Sequence, residues 1–177
     1  MALAAYSIPF GLRDVKITPY DAAGALGTAV DLPAGRTLSF AEAEDSEELR
    51  GDDRVVANHG NGPVVNWDLE GGGVSLEAMK VLTGGTITSS GTTPNVKKTL
   101  AKLATDVRPY FKIEGQVIGD NGGDLHCVIY KAKAVGDVGG DFTEGGFYLT
   151  GASGTGIGDA TDKLWDYVHN ETAAAIT

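Results

Sequence analysis

The most informative stretch of the sequence is Glu42–Arg54, which reads EAEDSEELRGDDR. It carries seven acidic residues and two arginines, and almost nothing apolar. Strand-like runs flank it, Thr37–Phe40 before it and Arg54–Asn58 after it. Long connections in compact domains are usually functional or disordered. We therefore expect either a solvated hairpin tip or an arm that reaches another copy of the protein, and we call this stretch the acidic arm.

The whole chain has the composition of one globular domain over residues 1–177. It is 42% hydrophobic and 21% charged, which is ordinary, but its 26 glycines are about twice the usual share. The net charge of −10 disfavours a general nucleic-acid binder or docking on an anionic membrane. One cysteine excludes a disulfide framework. The N-terminal MALAAYSIPFGLRD is not expected to be a signal peptide, because it lacks a basic region and a long apolar run.

Short alternating runs bounded by Gly, Pro, Asn and Asp predict a mainly β fold. In the clearest strand the apolar residues Val65, Trp67 and Leu69 alternate with three polar residues. The polar set, expected to face solvent or a lumen, is Asn66, Asp68 and Glu70. Further strands are expected in the segments Val15–Thr18, Val30–Leu32, Tyr110–Val117, Leu125–Ala134, Phe142–Thr150 and Leu164–Val168.

One short helix is expected after the central strand. Ser75 is suited to cap it, Leu76, Met79 and Leu82 repeat at helical spacing, and Gly84-Gly85 ends it. Two other segments are less regular. The segment 96–104 fits a strand or a helix, and Gly151–Gly158 is expected to be a glycine-rich loop. The small, polar segment 171–177 is expected to be a flexible tail.

No group of residues predicts catalysis, a cofactor or a metal. His59, His126 and His169 are far apart and lack zinc-ligand spacing. Cys127 follows His126 directly, so on a strand their side chains point to opposite faces, and Cys127 is expected to be a small buried hydrophobe. We therefore expect a protein that is not an enzyme.

The charge layout instead suggests contact between copies of the chain. The acidic arm and the basic residues after residue 96 are complementary patches, as a head-to-tail contact requires. The alternatives are pairing within one chain and independent solvated faces. The residues expected at the contact are Glu42, Glu44, Asp45, Glu47, Glu48, Arg50, Asp52, Asp53 and Arg54 on one side, and Lys97, Lys98 and Lys102 on the other.

The order of these elements resembles the major tail tube protein of long, non-contractile-tailed bacteriophages. The resemblance covers nearly the whole chain and rests on four segments rather than on one motif. They are TLSFAEAEDSEELRGDDRVVA, VVNWDLEGGGVSLEAMKVLTGG, RPYFKIEGQVIGDNGGDLHCVIYKAKAV and DFTEGGFYLTGASGTG.

The resemblance implies a β-sandwich or barrel-like fold with one flanking helix. It also implies hexameric rings stacked into a hollow tube, with Glu42–Arg54 reaching the adjacent ring. The implied partners are other copies of the chain and the tape measure, tail terminator and distal tail proteins. DNA would pass through the lumen without specific binding, and no membrane partner is implied. The implied location is the virion, after assembly in the host bacterial cytoplasm.

Three alternatives remain. The same fold is expected in contractile tails and type VI-like secretion tubes. A β-sandwich that binds a ligand or decorates a capsid would not form tubes. An enzyme would need a pocket of clustered polar residues.

Overall fold

Ten β-strands and one helix build residues 5–176, the part of the chain that the computed structural model describes. Residues 1–4, which begin the N-terminal segment considered above, and Thr177 lie outside it. The strands are β1 (Pro9–Pro19), β2 (Val30–Asp31), β3 (Gly35–Gly51), β4 (Arg54–Gly72), β5 (Thr86–Ser90), β6 (Lys97–Ala101), β7 (Phe111–Gly119), β8 (Asp124–Gly139), β9 (Leu149–Ile157) and β10 (Trp165–Asn170). The helix α1 (Leu76–Thr83) lies between β4 and β5.

Eight of the strands form one antiparallel sheet in the order β2-β1-β7-β8-β9-β4-β3. The eighth strand, β10, pairs with the first half of β8, while β9 pairs with the second half. Strands β5 and β6 form a separate two-stranded ribbon. The predicted mainly β fold is therefore confirmed, and the segment 96–104, which fitted either state, contains the strand β6.

The sheet curls until β3 lies against β1 and β7. Leu38 of β3 packs directly over Gly115 of β7, and Gly35 lies against Val15 of β1. The enclosed core is lined by inward side chains from both halves of the sheet. Trp67 meets the ring of Phe111 edge-on, with centroids 5.6 Å apart. Burying these apolar side chains is the main stabilising contribution.

The predicted face assignment of the central strand is confirmed. Val65, Trp67 and Leu69 are at most 3% exposed. Apolar and polar residues alternate strictly in this strand because one face of β4 covers the core and the other does not.

The helix begins and ends where the sequence predicts. The Ser75 hydroxyl accepts a hydrogen bond from the backbone N–H of Ala78 at 3.2 Å. Gly84, with φ at +80°, closes the C-terminus by donating its N–H to the carbonyl of Lys80. The residues that the helix buries are not all those that the helical spacing predicted. Ala78 and Val81 join Leu82 in the core, whereas Leu76 and Met79 are only half-buried.

Strand β9 corrects two predictions. The strand expected at Phe142–Thr150 begins only at Leu149, because Phe142 and Phe147 are 89% and 95% exposed and a turn separates them. The segment expected to be a glycine-rich loop is instead the strand between β8 and β4. Glycine is needed there because a Cβ at Gly154 would lie 2.7 Å from Cζ2 of Trp67 and 2.1 Å from the Lys133 carbonyl oxygen.

The C-terminal segment also differs from the expected flexible tail. Ile176 is 3% exposed, and its carbonyl accepts a hydrogen bond from Lys16 Nζ at 2.6 Å. The Ala174 N–H donates to Asp124 at 2.9 Å, and the Ala174 carbonyl accepts from Gln116. The small, polar residues of this segment predicted a flexible tail, but these contacts hold residues 174–176 against β1, β7 and β8.

Candidate assembly interface

The acidic arm is part of a long two-stranded hairpin. Strands β3 and β4 stay paired from Glu42 and Val65 out to Gly51 and Arg54. We call the part between Glu42 and Pro63 the acidic hairpin. All of its residues are exposed except Gly51, which is half-buried. The acidic arm is therefore the outer part of a hairpin of two paired strands, and only Asp52 and Asp53 form its turn.

The turn geometry suits the pairing of the two strands. Asp52 and Asp53 have φ values of +52° and +59°. Positive φ at both central residues is the turn geometry whose twist matches that of the flanking strands. Aspartate tolerates this conformation better than most residues do.

Three of the seven arm carboxylates have partners within the chain. Glu48 accepts two hydrogen bonds from Arg50, the shorter at 2.9 Å. Glu44 accepts from the Gly62 N–H at 3.3 Å, and Glu42 accepts from the indole of Trp165 at 2.6 Å. Four carboxylates have no hydrogen bond or ion pair among residues 5–176. They are Asp45, Glu47, Asp52 and Asp53.

Aromatic rings hold the root of the acidic hairpin. Phe40 of β3 lies 5.5 Å from Trp165 and 5.4 Å from Tyr167, measured between ring centroids. Both partners belong to β10. Tilted ring pairs at these separations are favourable beyond their buried area. The Trp165 ring therefore packs against the same chain, between β10 and the base of the acidic hairpin.

The far end of the acidic hairpin is apolar as well as charged. Leu49 is 64% exposed and Val56 is 60% exposed. An exposed apolar side chain with charged neighbours can provide the apolar centre and polar rim of a contact with another protein.

The basic residues predicted as the other side of the contact lie on and after β6. Lys98 pairs with Glu77 of α1 at 3.0 Å. Lys102 donates to the carbonyls of Thr83 and Asp106 at 2.6 and 2.7 Å. Only Lys97 has no such partner in the described chain. The predicted contact with the acidic arm is not tested by these internal bonds, but two of its three lysines already have partners.

A second basic surface was not singled out from the sequence. Lys131 and Lys133 of β8 lie over the ring of Tyr110, 5.0 and 5.1 Å from its centroid. Ala132 and Ala134 between them are fully buried, so both lysines point away from the core. The signal was present in the Lys-Ala-Lys-Ala alternation, which predicts one basic face on a strand.

The polar face of β4 is exposed as the sequence predicts. Asn66 and Asp68 are exposed, and Glu70 is half-buried and pairs with Arg36 at 3.3 Å. Whether this face meets bulk solvent or a lumen depends on assembly and stays a prediction.

A buried polar cluster lies beneath the C-terminal segment. Asp124 is fully buried and accepts hydrogen bonds from Gln116, Asn170 and the Ala174 N–H, at 2.6 to 2.9 Å. His126 lies 2.9 Å from the same carboxylate. Burial alone would raise the pKa of Asp124, but these hydrogen bonds outweigh it and lower the pKa to about 2.

The remaining candidate side chains do not form a reactive site. Burial raises the pKa of the Cys127 thiol to about 12, so it is protonated at neutral pH and packs against the core. His59 lies in the acidic hairpin and His169 in β10. Within residues 5–176, no group of three or more His, Cys, Asp or Glu side chains is placed to hold a metal ion.

Comparison with known proteins adds no family. The sequence matches no protein-family model, and no curated protein resembles it at a significant level. In the described part of the chain, no helix is long and apolar enough to cross a membrane. The fold and surface therefore define a mainly β protein with a long, exposed, acidic hairpin.

Proposed function

We propose that this chain is a structural subunit that assembles into rings stacked as a hollow tube, the tail tube of a long, non-contractile-tailed bacteriophage. One observation carries the proposal. An exposed, paired hairpin extends from a curled antiparallel sheet, with an apolar end and four carboxylates that have no partner among residues 5–176. Ordering such a hairpin is costly unless it contacts something else. A neighbouring copy would supply that contact.

Other properties support the same role. A sheet with unpaired edges is protected when neighbouring copies cover those edges. A conduit for DNA must not bind DNA tightly, and the net charge of −10 suits that requirement. In this proposal the acidic hairpin reaches the next ring. The polar face of β4, with Asn66 and Asp68, lies toward the lumen.

The proposal includes partners and a location. The chain binds other copies of itself, and the ends of the tube meet the tape measure, tail terminator and distal tail proteins. It acts in the virion after assembly in the host cytoplasm. Tubes of contractile tails and of type VI-like secretion systems are the related possibility, and electron microscopy of whole particles would separate them by the presence of a sheath.

A second candidate is a β-sandwich that binds a ligand or decorates a capsid. The exposed loop between β8 and β9 favours it. Phe142 and Phe147 are almost fully exposed, and Phe142 lies 4.6 Å from the ring of Tyr148. Exposed aromatic rings are frequent in binding loops. Such a module would remain small in solution at any concentration.

Sedimentation velocity over a concentration series, combined with limited proteolysis, tests the first candidate against the second. Tube assembly predicts large species at high concentration and protection of the Leu49–Arg54 bonds in those species only. A protein that stays monomeric or trimeric throughout, with equal cleavage at every concentration, would support the binding module instead.

A further inference from the structure

We propose that the acidic hairpin of one copy lies on the outer face of β8 of another copy. Asp45, Glu47 and Leu49 would lie against Lys131, Lys133 and Val135. This inference rests on the proposed self-assembly and names the surface that receives the hairpin. It replaces the contact expected with Lys97, Lys98 and Lys102.

The donor face is formed by side chains on one side of β3. The irregularities in its pairing fall where β4 contributes the extra residue, between Glu44 and Ser46 and between Leu49 and Arg50. Strand β3 therefore keeps its alternation there, and Asp45, Glu47 and Leu49 point to one side. The two carboxylates are unpartnered among the described residues, and Leu49 is 64% exposed. The face reads acid, acid, apolar.

The receiving face has the complementary order. Lys131 and Lys133 point outward because Ala132 and Ala134 are buried, and Val135, which follows on the chain, is 59% exposed. This face reads base, base, apolar. Neither lysine has a carboxylate partner in the described part of the chain. The Tyr110 ring beneath them orders both side chains by cation–π contact, which reduces the entropy lost on binding.

The spacings of the two faces agree. The pairing of β8 is irregular before Ala132 and after Ala134, but these two alanines are buried and Val135 is exposed, so the inward and outward alternation continues there. Alternate residues on a strand are about 6.7 Å apart, so three positions on β3 align with three positions on β8. Strands packed face to face are about 10 Å apart, a distance that a lysine and a carboxylate side chain span together. Two ion pairs and one apolar contact then form together. The apolar position favours a protein partner over a polyanion such as DNA, because phosphates would leave Val135 uncovered.

Zero-length carbodiimide cross-linking tests this contact on the wild-type chain. The reagent joins a carboxylate to an amine only where the two touch. Concentrated protein is prepared as an equal mixture of isotopically light and heavy copies, and mixed light–heavy peptides identify contacts between copies. We expect mixed cross-links that join Lys131 or Lys133 to Asp45 or Glu47. Mixed cross-links from the hairpin to Lys97, Lys98 or Lys102 instead would overturn the inference and leave the proposed function standing.

Charge variants give an independent readout. Lys131→Glu with Lys133→Glu should raise the concentration needed for assembly by about tenfold or more. Adding Asp45→Lys and Glu47→Lys should restore assembly. The matched control, Lys97→Glu with Lys98→Glu, should assemble as wild type does. The neutral pair Lys131→Gln with Lys133→Gln, which disturbs the fold less, should have an intermediate effect.

The remaining outcomes distinguish a failure of this contact from a failure of the proposed function. Assembly that proceeds normally in the Lys131→Glu, Lys133→Glu variant would overturn this contact alone. Binding of a short DNA duplex that this variant abolishes would assign the surface to a polyanion and also overturn it. Copies that never associate at any concentration would overturn both this contact and the proposed function.

Discussion

The indole Nε1 of Trp165 donates a hydrogen bond to the Glu42 carboxylate at 2.6 Å, joining residues 123 positions apart in the chain. Trp165 belongs to the last strand, and Glu42 lies where β3 leaves the body of the protein. Together with the contact between Phe40 and Trp165, this bond fixes the direction in which the acidic hairpin departs. The hairpin is positioned by β10, not by its own turn.

Trp165→Phe is expected to loosen the acidic hairpin without unfolding the protein. The ring contact with Phe40 is largely kept, and the exposed Glu42 carboxylate regains water, so the free energy of unfolding should fall by about 1 kcal/mol or less. Amide hydrogen exchange across Ala43–Gly51 should become faster than in wild type. Glu42→Gln, which keeps an acceptor, should exchange nearly as slowly as wild type. Unchanged exchange in Trp165→Phe would mean that the bond does not restrain the hairpin.

Substitutions at two neighbouring residues of β4 should differ greatly in their effect on the free energy of unfolding. Trp67 is 3% exposed and packs on Phe111, so Trp67→Ala should lower the free energy of unfolding by about 3–5 kcal/mol. Asp68 is exposed, so Asp68→Asn should change it by about 0.5 kcal/mol or less. Chemical denaturation measures both values. Similar losses in the two variants would contradict the assignment of faces.

Lowering the pH should destabilise the protein, because Asp124 becomes protonated. Its pKa is about 2 in the folded protein, below the ordinary value of 3.8. A lowered folded-state pKa means that its contribution is complete above about pH 4 and is lost as the pH falls toward 2. The contribution at neutral pH is about 2 kcal/mol.

Urea denaturation of wild type and Asp124→Asn at pH 7, 4, 3 and 2 measures this effect. The stability difference between them should shrink across the lower part of that range. Asp120→Asn, in the exposed turn before β8, is the matched control and should follow the wild-type curve. A difference between wild type and Asp124→Asn that does not change with pH would argue against an ionised Asp124.

Gly154→Ala should be destabilising because the added methyl group has no room. A Cβ there would meet the Lys133 carbonyl oxygen and the Trp67 ring, so we expect a loss of about 1–3 kcal/mol. Gly151→Ala on the same strand is the control, since its nearest neighbour would be 3.8 Å away. Equal melting temperatures for the two variants would show that β9 is not packed as described.

Local patterns predicted much of the fold, because in those segments local and tertiary preferences agree. The alternation around Trp67 and the cap at Ser75 each carried enough information within a few residues. Strand β9 was missed because its glycines, read locally, indicate a loop. Glycine suits the strand interior at position 154 because of distant neighbours, the ring of Trp67, 87 positions away, and the backbone of Lys133. The docking of Ile176 likewise depends on distant residues, chiefly Lys16 and Asp124.

The sequence predicted the exposure of the acidic segment but not which lysines are available, for a similar reason. Seven acidic residues in Glu42–Arg54 predict exposure wherever the segment lies, and the structure agrees. Which lysines are available depends on tertiary contacts. Lys98 is engaged by Glu77, whereas Lys131 and Lys133 are presented by the packing of β8 against Tyr110. Sequence spacing does not report such neighbours.

Negative-stain electron microscopy of the concentrated, purified protein can show the proposed tube itself. We expect hollow tubes, with six-fold rings in end-on views. A variant with residues 45–60 replaced by a two-residue turn should stay folded and form none. A field of dispersed particles at every concentration and ionic strength would contradict tube assembly, and tubes that form equally well without the acidic hairpin would contradict its role.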